Sequence, residues 1–153
     1  MTDVADIHAD IDALRELADA LARFRHAQRE VVERGDYEIN ATRASLEAKA
    51  GRWRHLLGRR QADLAACEQG AARDAAGPPP DCSAEARAVR EAQERLDHIR
   101  RWQQRVDDEA DSFRGNASRF RDVLDLDLPR TENHLRAVIA GLEASRRIRV
   151  AGS

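Results

Sequence analysis

The sequence predicts an all-α protein: an elongated antiparallel helical hairpin, a coiled-coil stalk, broadening into a three- or four-helix bundle head. Three observations lead there. First, apolar or small residues recur between Ser83 and Asp127 at alternating steps of three and four. They are Val89, Ala92, Leu96, Ile99, Val106, Ala110, Phe113, Ala117, Phe120 and Leu124, with Gln103 the one polar interruption. That spacing keeps a narrow stripe on one side of a helix, the a/d seam of a coiled coil. Second, Gly77-Pro78-Pro79-Pro80 stands near the middle of the chain, and consecutive prolines cannot continue a helix. Third, charged residues make up 35% and aromatic residues 4% of the chain, so large apolar side chains are too few for a fat core. They suffice for a thin seam, which needs about two apolar positions in seven where a globular bundle wants about three.

Taken in order, a first helix spans residues 3–34. Val4, Ile7, Ile11, Leu14, Ala18 and Leu21 form its stripe, and Leu17, Phe24 and Val31 add a second row. A two-stranded seam has no use for that row, so this segment is expected to contact more than one helix. Gly35-Asp36 reads as a C′ glycine followed by an N-cap, hence a turn. Against that, the stripe counted in sevens stays in phase through Ile39, Leu46 and Trp53, which would make the first two helices one bent rod. The second helix, 37–69, carries Ile39, Leu46, Trp53, Leu57, Leu64 and Cys67, with Gly51 marking a candidate kink. A hairpin tip occupies 70–81. The third helix, 83–127, starts with Ser83 as N-cap and Glu85 in its first turn. It is expected to stop where Leu124, Leu126 and Leu128 fall at steps of two and Pro129 follows. A fourth helix, 129–148, takes Pro129 at N1 and Leu135, Val138, Ile139 and Leu142 as its apolar face. The alternative architecture is a straight hairpin with one arm from Val4 to Gln69 and the other from Cys82 to Ile148.

The 153 residues form one domain or one elongated unit. A stalk with a helical head implies a maximum dimension of roughly 70–100 Å. Lys49 is the only lysine among 26 basic residues, the signature of a GC-rich, hence bacterial, coding sequence. Net charge is −2, which makes nucleic acid an unfavoured partner. The N-terminus has no basic start followed by an apolar run, and no window is apolar enough for a membrane span. The default location is cytoplasmic, with leaderless export as the exception.

Signs of chemistry are missing. The histidines His8, His26, His55, His98 and His134 are never three or four apart, so no helix face offers a paired imidazole site. None has a glutamate three residues before it, which removes the di-iron arrangement natural to helical bundles. There is no phosphate-binding glycine loop and no nucleophile elbow. The expectation is a protein without catalytic, cofactor-binding or metal-binding residues.

Four features remain, and two of them, Trp102 and an arginine belt, point to contacts with other molecules. The hairpin sets Cys67 beside Cys82, a candidate disulfide. Trp53 falls on the seam and reads as core. Trp102 stands beside Gln103 at the seam's edge, a candidate partner-binding anchor. Residues 43–63 hold six basic residues against two acidic ones, and the facing segment 85–105 is also basic in balance. Arg52, Arg54, Arg59, Arg60, Arg95, Arg100, Arg101 and Arg105 thus form a candidate belt for an acidic surface, on a partner protein or on another copy. Intrahelical pairs such as Glu91–Arg95 would neutralise part of it. The first 22 residues are the acid counterpart, with six carboxylates against Arg15 alone.

The leading expectation is a non-enzymatic interaction or scaffold protein acting through protein–protein contacts or self-association. A second is a leaderless substrate or adaptor of a bacterial secretion or toxin system. The helical-hairpin substrates of type VII secretion are similar in architecture, but their Trp-x-Gly turn is absent, since His55 and Gln104 hold the third positions. A third is nucleic-acid binding through the Arg-rich stalk.

Overall fold

The computed structural model describes residues 4–73 and 77–152, the side chains of 4, 5, 7, 71 and 72 excepted. Parts of three sequence expectations fall outside that set: the helix start at residue 3, Val4 and Ile7 as stripe members, and residues 74–76 of the tip. The fold is all-helical, built on two long arms. The first arm is α1, Val4–Arg73. The second is α2, Ser83–Asp122, a π-helical turn, Val123–Asp127, and α3, Leu128–Ala151. Between the arms, residues 77–82 are non-helical.

The chain divides into two compact units, Met1–Asp36 with Phe113–Ser153 (unit 1) and Tyr37–Ser112 (unit 2). Within unit 2 the arms run antiparallel, as Arg43 pairs with Asp107, Glu47 with Gln103 and Cys67 with Cys82. Its core is Ala50, Leu96 and Ile99, packed against Leu46, Trp53 and Leu57. Trp53 is therefore a core residue. Unit 1 is antiparallel too: Arg15 reaches Glu143, Arg25 reaches Glu132, Arg29 reaches Asp125 and Arg121 reaches Asp36. Ile11, Val32, Ala117 and Leu124 are its buried apolar residues.

Every member of the stripe expected on the second arm, Val89 through Leu124, is buried or half-buried. Gln103 is accommodated because its side-chain amide donates to Glu47 at 3.0 Å.

Helix ends run further than the sequence reading, α1 to Arg73 through residues 70–73 of the expected tip and α3 to Ala151 past 148, and three boundaries differ in kind. The turn expected at Gly35-Asp36 does not form, and α1 passes through it unbroken. A C′ glycine must enter the left-handed region, and no described glycine has positive φ. Gly35 serves a different purpose: a Cβ there would stand 2.6 Å from Phe113 Cζ, so only glycine lets that ring lie against the helix. Asp36 is occupied by Arg121 rather than by a cap. The stripe also slips here, because Ile39 is followed by half-buried Arg43 and fully buried Ala50, not only by the sevenfold series Ile39, Leu46, Trp53. Consecutive steps of four restore the phase of a straight helix, whose turn is longer than 3.5 residues.

The second arm likewise does not stop before Pro129. The π-helical turn absorbs the broken period, with the Leu128 N–H reaching back to the Val123 carbonyl. A widened turn spares the proline ring its clash with the carbonyl four residues earlier, and a missing N–H costs little there. Finally, α2 begins at Ser83, but the cap is Asp81, whose carboxylate accepts the Ser83 N–H at 3.0 Å.

Among the described residues nothing covers the second row on α1. Leu17, Phe24 and Val31 are about half exposed (48, 47 and 57%), so unit 1 by itself has no third helix against them.

Candidate functional site

The candidate arginines and Trp102 belong to unit 2, residues 52–60 of α1 and 95–105 of α2, and this unit closes on Ala50, Leu96 and Ile99. All eight belt arginines are exposed. They differ in what they already hold. Arg54 is committed, 2.6 Å from Glu47 Oε1, in a chain that Gln103 completes on the other carboxylate oxygen. The Arg54 guanidinium, and Gln103 after it, hold the Glu47 carboxyl below the usual carboxylate range. Arg100 lies 3.5 Å from Asp97 on its own helix. Arg105 stacks over the Trp102 ring, 4.8 Å from its centroid. Arg52, Arg59, Arg60, Arg95 and Arg101 make no ion pair among the described residues, and the Glu91–Arg95 pair expected from spacing is absent.

Trp102 is exposed, yet ordered by its neighbours on α2. Its indole N–H donates to His98 Nε2 at 3.1 Å, and the two rings meet edge to face. His98, Trp102 and Arg105 follow one another at steps of four and three, so one helical face carries an imidazole, an indole and a guanidinium. An aromatic body held in one orientation beside unpaired cations is equipped to bind, because it loses little freedom on contact.

Cys67 and Cys82 lie at disulfide distance, S–S 1.99 Å with Cα atoms 6.0 Å apart. Just beyond, Asp81 accepts hydrogen bonds from the Ser83 side chain and backbone, which hold its carboxyl below the ordinary range.

One polar feature escaped the spacing argument. Glu132 is buried, 3% exposed, and both its oxygens receive Arg25, Nε at 2.9 Å and Nη2 at 3.3 Å. The signal was present: Arg25 continues the Ile11, Leu14, Ala18, Leu21 stripe, and Glu132 lies three residues before Leu135 on the opposite one. Charges of opposite sign at seam positions of both arms are a cross-arm pair in waiting.

Among the described residues no cluster of three His, Cys, Asp or Glu side chains could hold a metal ion. Nor, among those residues, is any helix long and apolar enough to cross a membrane. Comparison with protein-family models, curated proteins and solved structures finds no match.

Proposed function

We propose that this chain is a non-enzymatic helical interaction protein, and that unit 2 docks an acidic protein surface through its unpaired arginines and Trp102. In this reading the arms pack as an antiparallel coiled coil that holds the binding face rigid. One observation carries it: Arg52, Arg59, Arg60, Arg95 and Arg101 are exposed with no ion pair among the described residues, on the same two helix segments as an exposed tryptophan held by His98 and Arg105. Exposed charges act over about 8 Å at physiological salt, so such a face steers and selects an acidic partner more than it grips it. The indole supplies the desolvated anchor.

The test is capture of a partner from the native host by the full chain, compared with two variants. Arg52→Glu, Arg59→Glu, Arg95→Glu and Arg101→Glu together should abolish capture with helicity intact. Trp102→Ala should weaken it by about tenfold or more. Arg54 is left in place because reversing it would break the Glu47–Gln103 contact. A complex that survives both the reversal and molar salt would show the arginines to be a solvated face.

A specific observation favours the second reading, a substrate or adaptor of a bacterial secretion system. The Cys67–Cys82 pair is at bonding distance, and such bonds persist in oxidising compartments. Alkylation of the protein in intact cells and in culture supernatant tests it: thiols free in both fractions would remove that support.

A further inference from the structure

A second apolar row runs along α1. Ala13, Leu17, Ala20, Phe24, Ala27 and Val31 follow one another at alternating steps of four and three, and all six are exposed. The row lies about 100° around the helix axis from the buried row through Ile11, Leu14, Ala18, Leu21 and Arg25. Two rows at that angle suit a helix with two neighbours, as in a four-helix bundle, and unit 1 supplies only one of them.

We propose that the missing neighbour is a second copy of this chain, α1 packing against α1 in antiparallel orientation. The order of the row carries the argument, because large and small residues alternate along it. Let the two copies be level at residue 22. Leu17 then meets Ala27, Phe24 meets Ala20, and Val31 meets Ala13, each contact occurring twice by symmetry. Every large side chain faces an alanine, which lets the two helices approach and interdigitate. The ends agree. One step beyond the row stand Asp10 and Arg34, both exposed, and the same register sets Asp10 of one copy opposite Arg34 of the other, again twice.

Other arrangements lose this match. Sliding by one heptad opposes Leu17 with Arg34 in one direction and Asp10 with Ala27 in the other. A parallel pair stacks Phe24 on Phe24 and alanine on alanine, and it brings Asp10 against Asp10. At the rim of the favoured register, Glu16 approaches Glu30 of the second copy, a like-charge contact that salt screens. The apolar pairing therefore persists in molar salt, whereas docking at the arginines of unit 2 loosens there. The two proposals fail independently.

Sedimentation equilibrium of the full chain reads the outcome. Mass should rise with concentration from 17.2 kDa to twice that value. Leu17→Glu and Phe24→Glu should each weaken association on the order of 100-fold, while His26→Lys, on the far face, leaves it unchanged. All three sites are exposed in the single chain, so helicity by circular dichroism should be retained. Orientation is read by mixing Ala13→Cys and Val31→Cys chains under oxidation, where the expected cross-link joins residue 13 to residue 31. A monomer at concentrations on the order of 100 μM, a dimer indifferent to both glutamate variants, or cross-links only of like to like would overturn the proposal.

Discussion

The two units use the same antiparallel pairing of arms and hold it together differently. In unit 1 the arginines cross from arm to arm: Arg15, Arg25, Arg29 and Arg121 each take a carboxylate on the opposite arm, and one of those carboxylates is buried. In unit 2 Arg43 and Asp107 form a cross-arm ion pair, and the arms close on Ala50, Leu96, Ile99 and the cysteine pair. Arg15, Arg29 and Arg121 stay partly exposed in their pairs, and Arg23, Arg34 and Arg119 are exposed in unit 1 as well, so what sets its surface apart is the Leu17–Phe24–Val31 row. Unit 2 instead sets Trp102 among exposed arginines, Arg105 stacked on its ring. The difference teaches that the same pairing of arms can leave an apolar row outside one unit and an aromatic ring beside cations outside the other.

The comparison breaks or sharpens first at Arg25. Removing it strands the buried Glu132 carboxylate, and Arg25→Ala should cost about 3–5 kcal/mol in chemical denaturation. In the unit 2 counterpart the carboxylate, Asp107, is exposed, and Arg43→Ala should cost under about 1 kcal/mol. Equal costs would mean the buried pair is not what holds unit 1. Replacing both partners, as Arg25→Met with Glu132→Leu, should recover most of the loss.

Next in size is the cysteine pair. Its sequence separation is 15, and closing a loop of that size stabilises by about 3 kcal/mol on the chain-entropy account. Reduction, or Cys67→Ala with Cys82→Ala, should speed amide exchange throughout unit 2 and leave unit 1 nearly unchanged. Uniform acceleration in both units would show that they do not open separately.

Glycine substitutions give a smaller contrast. Gly35→Ala gains about 1 kcal/mol of helix propensity but drives a methyl group into the Phe113 ring. The net should be destabilising by about 1–2 kcal/mol. Gly58→Ala and Gly115→Ala meet nothing within 4 Å and should stabilise by about 0.5–1 kcal/mol. Thermal melts of the three variants should therefore move in opposite directions.

The smallest effect is pH. Glu47 and Asp81, both in unit 2, have carboxyl pKa values lowered by Arg54 and Ser83 respectively. A lowered folded pKa contributes stability above the unfolded value, and that contribution is lost as pH falls through the folded one. Unit 2 should accordingly loosen slightly on acidification below the carboxylate range. Glu47→Gln should flatten that response; an unchanged acid slope would show that the Arg54–Glu47–Gln103 chain adds nothing to stability.

By itself the sequence determined the all-helical class, the buried stripe on the second arm, the Pro-rich break between the arms and the facing of Cys67 and Cys82. These follow from periodicity and from the backbone limits of proline, which hold whatever the neighbours are. Tertiary structure decided the rest, and Gly35 shows why. Its local reading as a helix stop rests on a preference of about 1 kcal/mol, which the packing of an aromatic ring on the bare backbone outweighs. Pro129 repeats the lesson, since one π-helical turn lets the arm keep both its continuity and its buried face. Ala50, fully buried, gave little hydrophobic signal because closeness of approach, not apolar size, is what it supplies, whereas Ala110 was legible only from the spacing of its neighbours. Arg25 and Glu132 looked like surface charges until the two arms were brought together. A buried ion pair is a property of two positions far apart in the chain, and only the pairing of the arms makes them one.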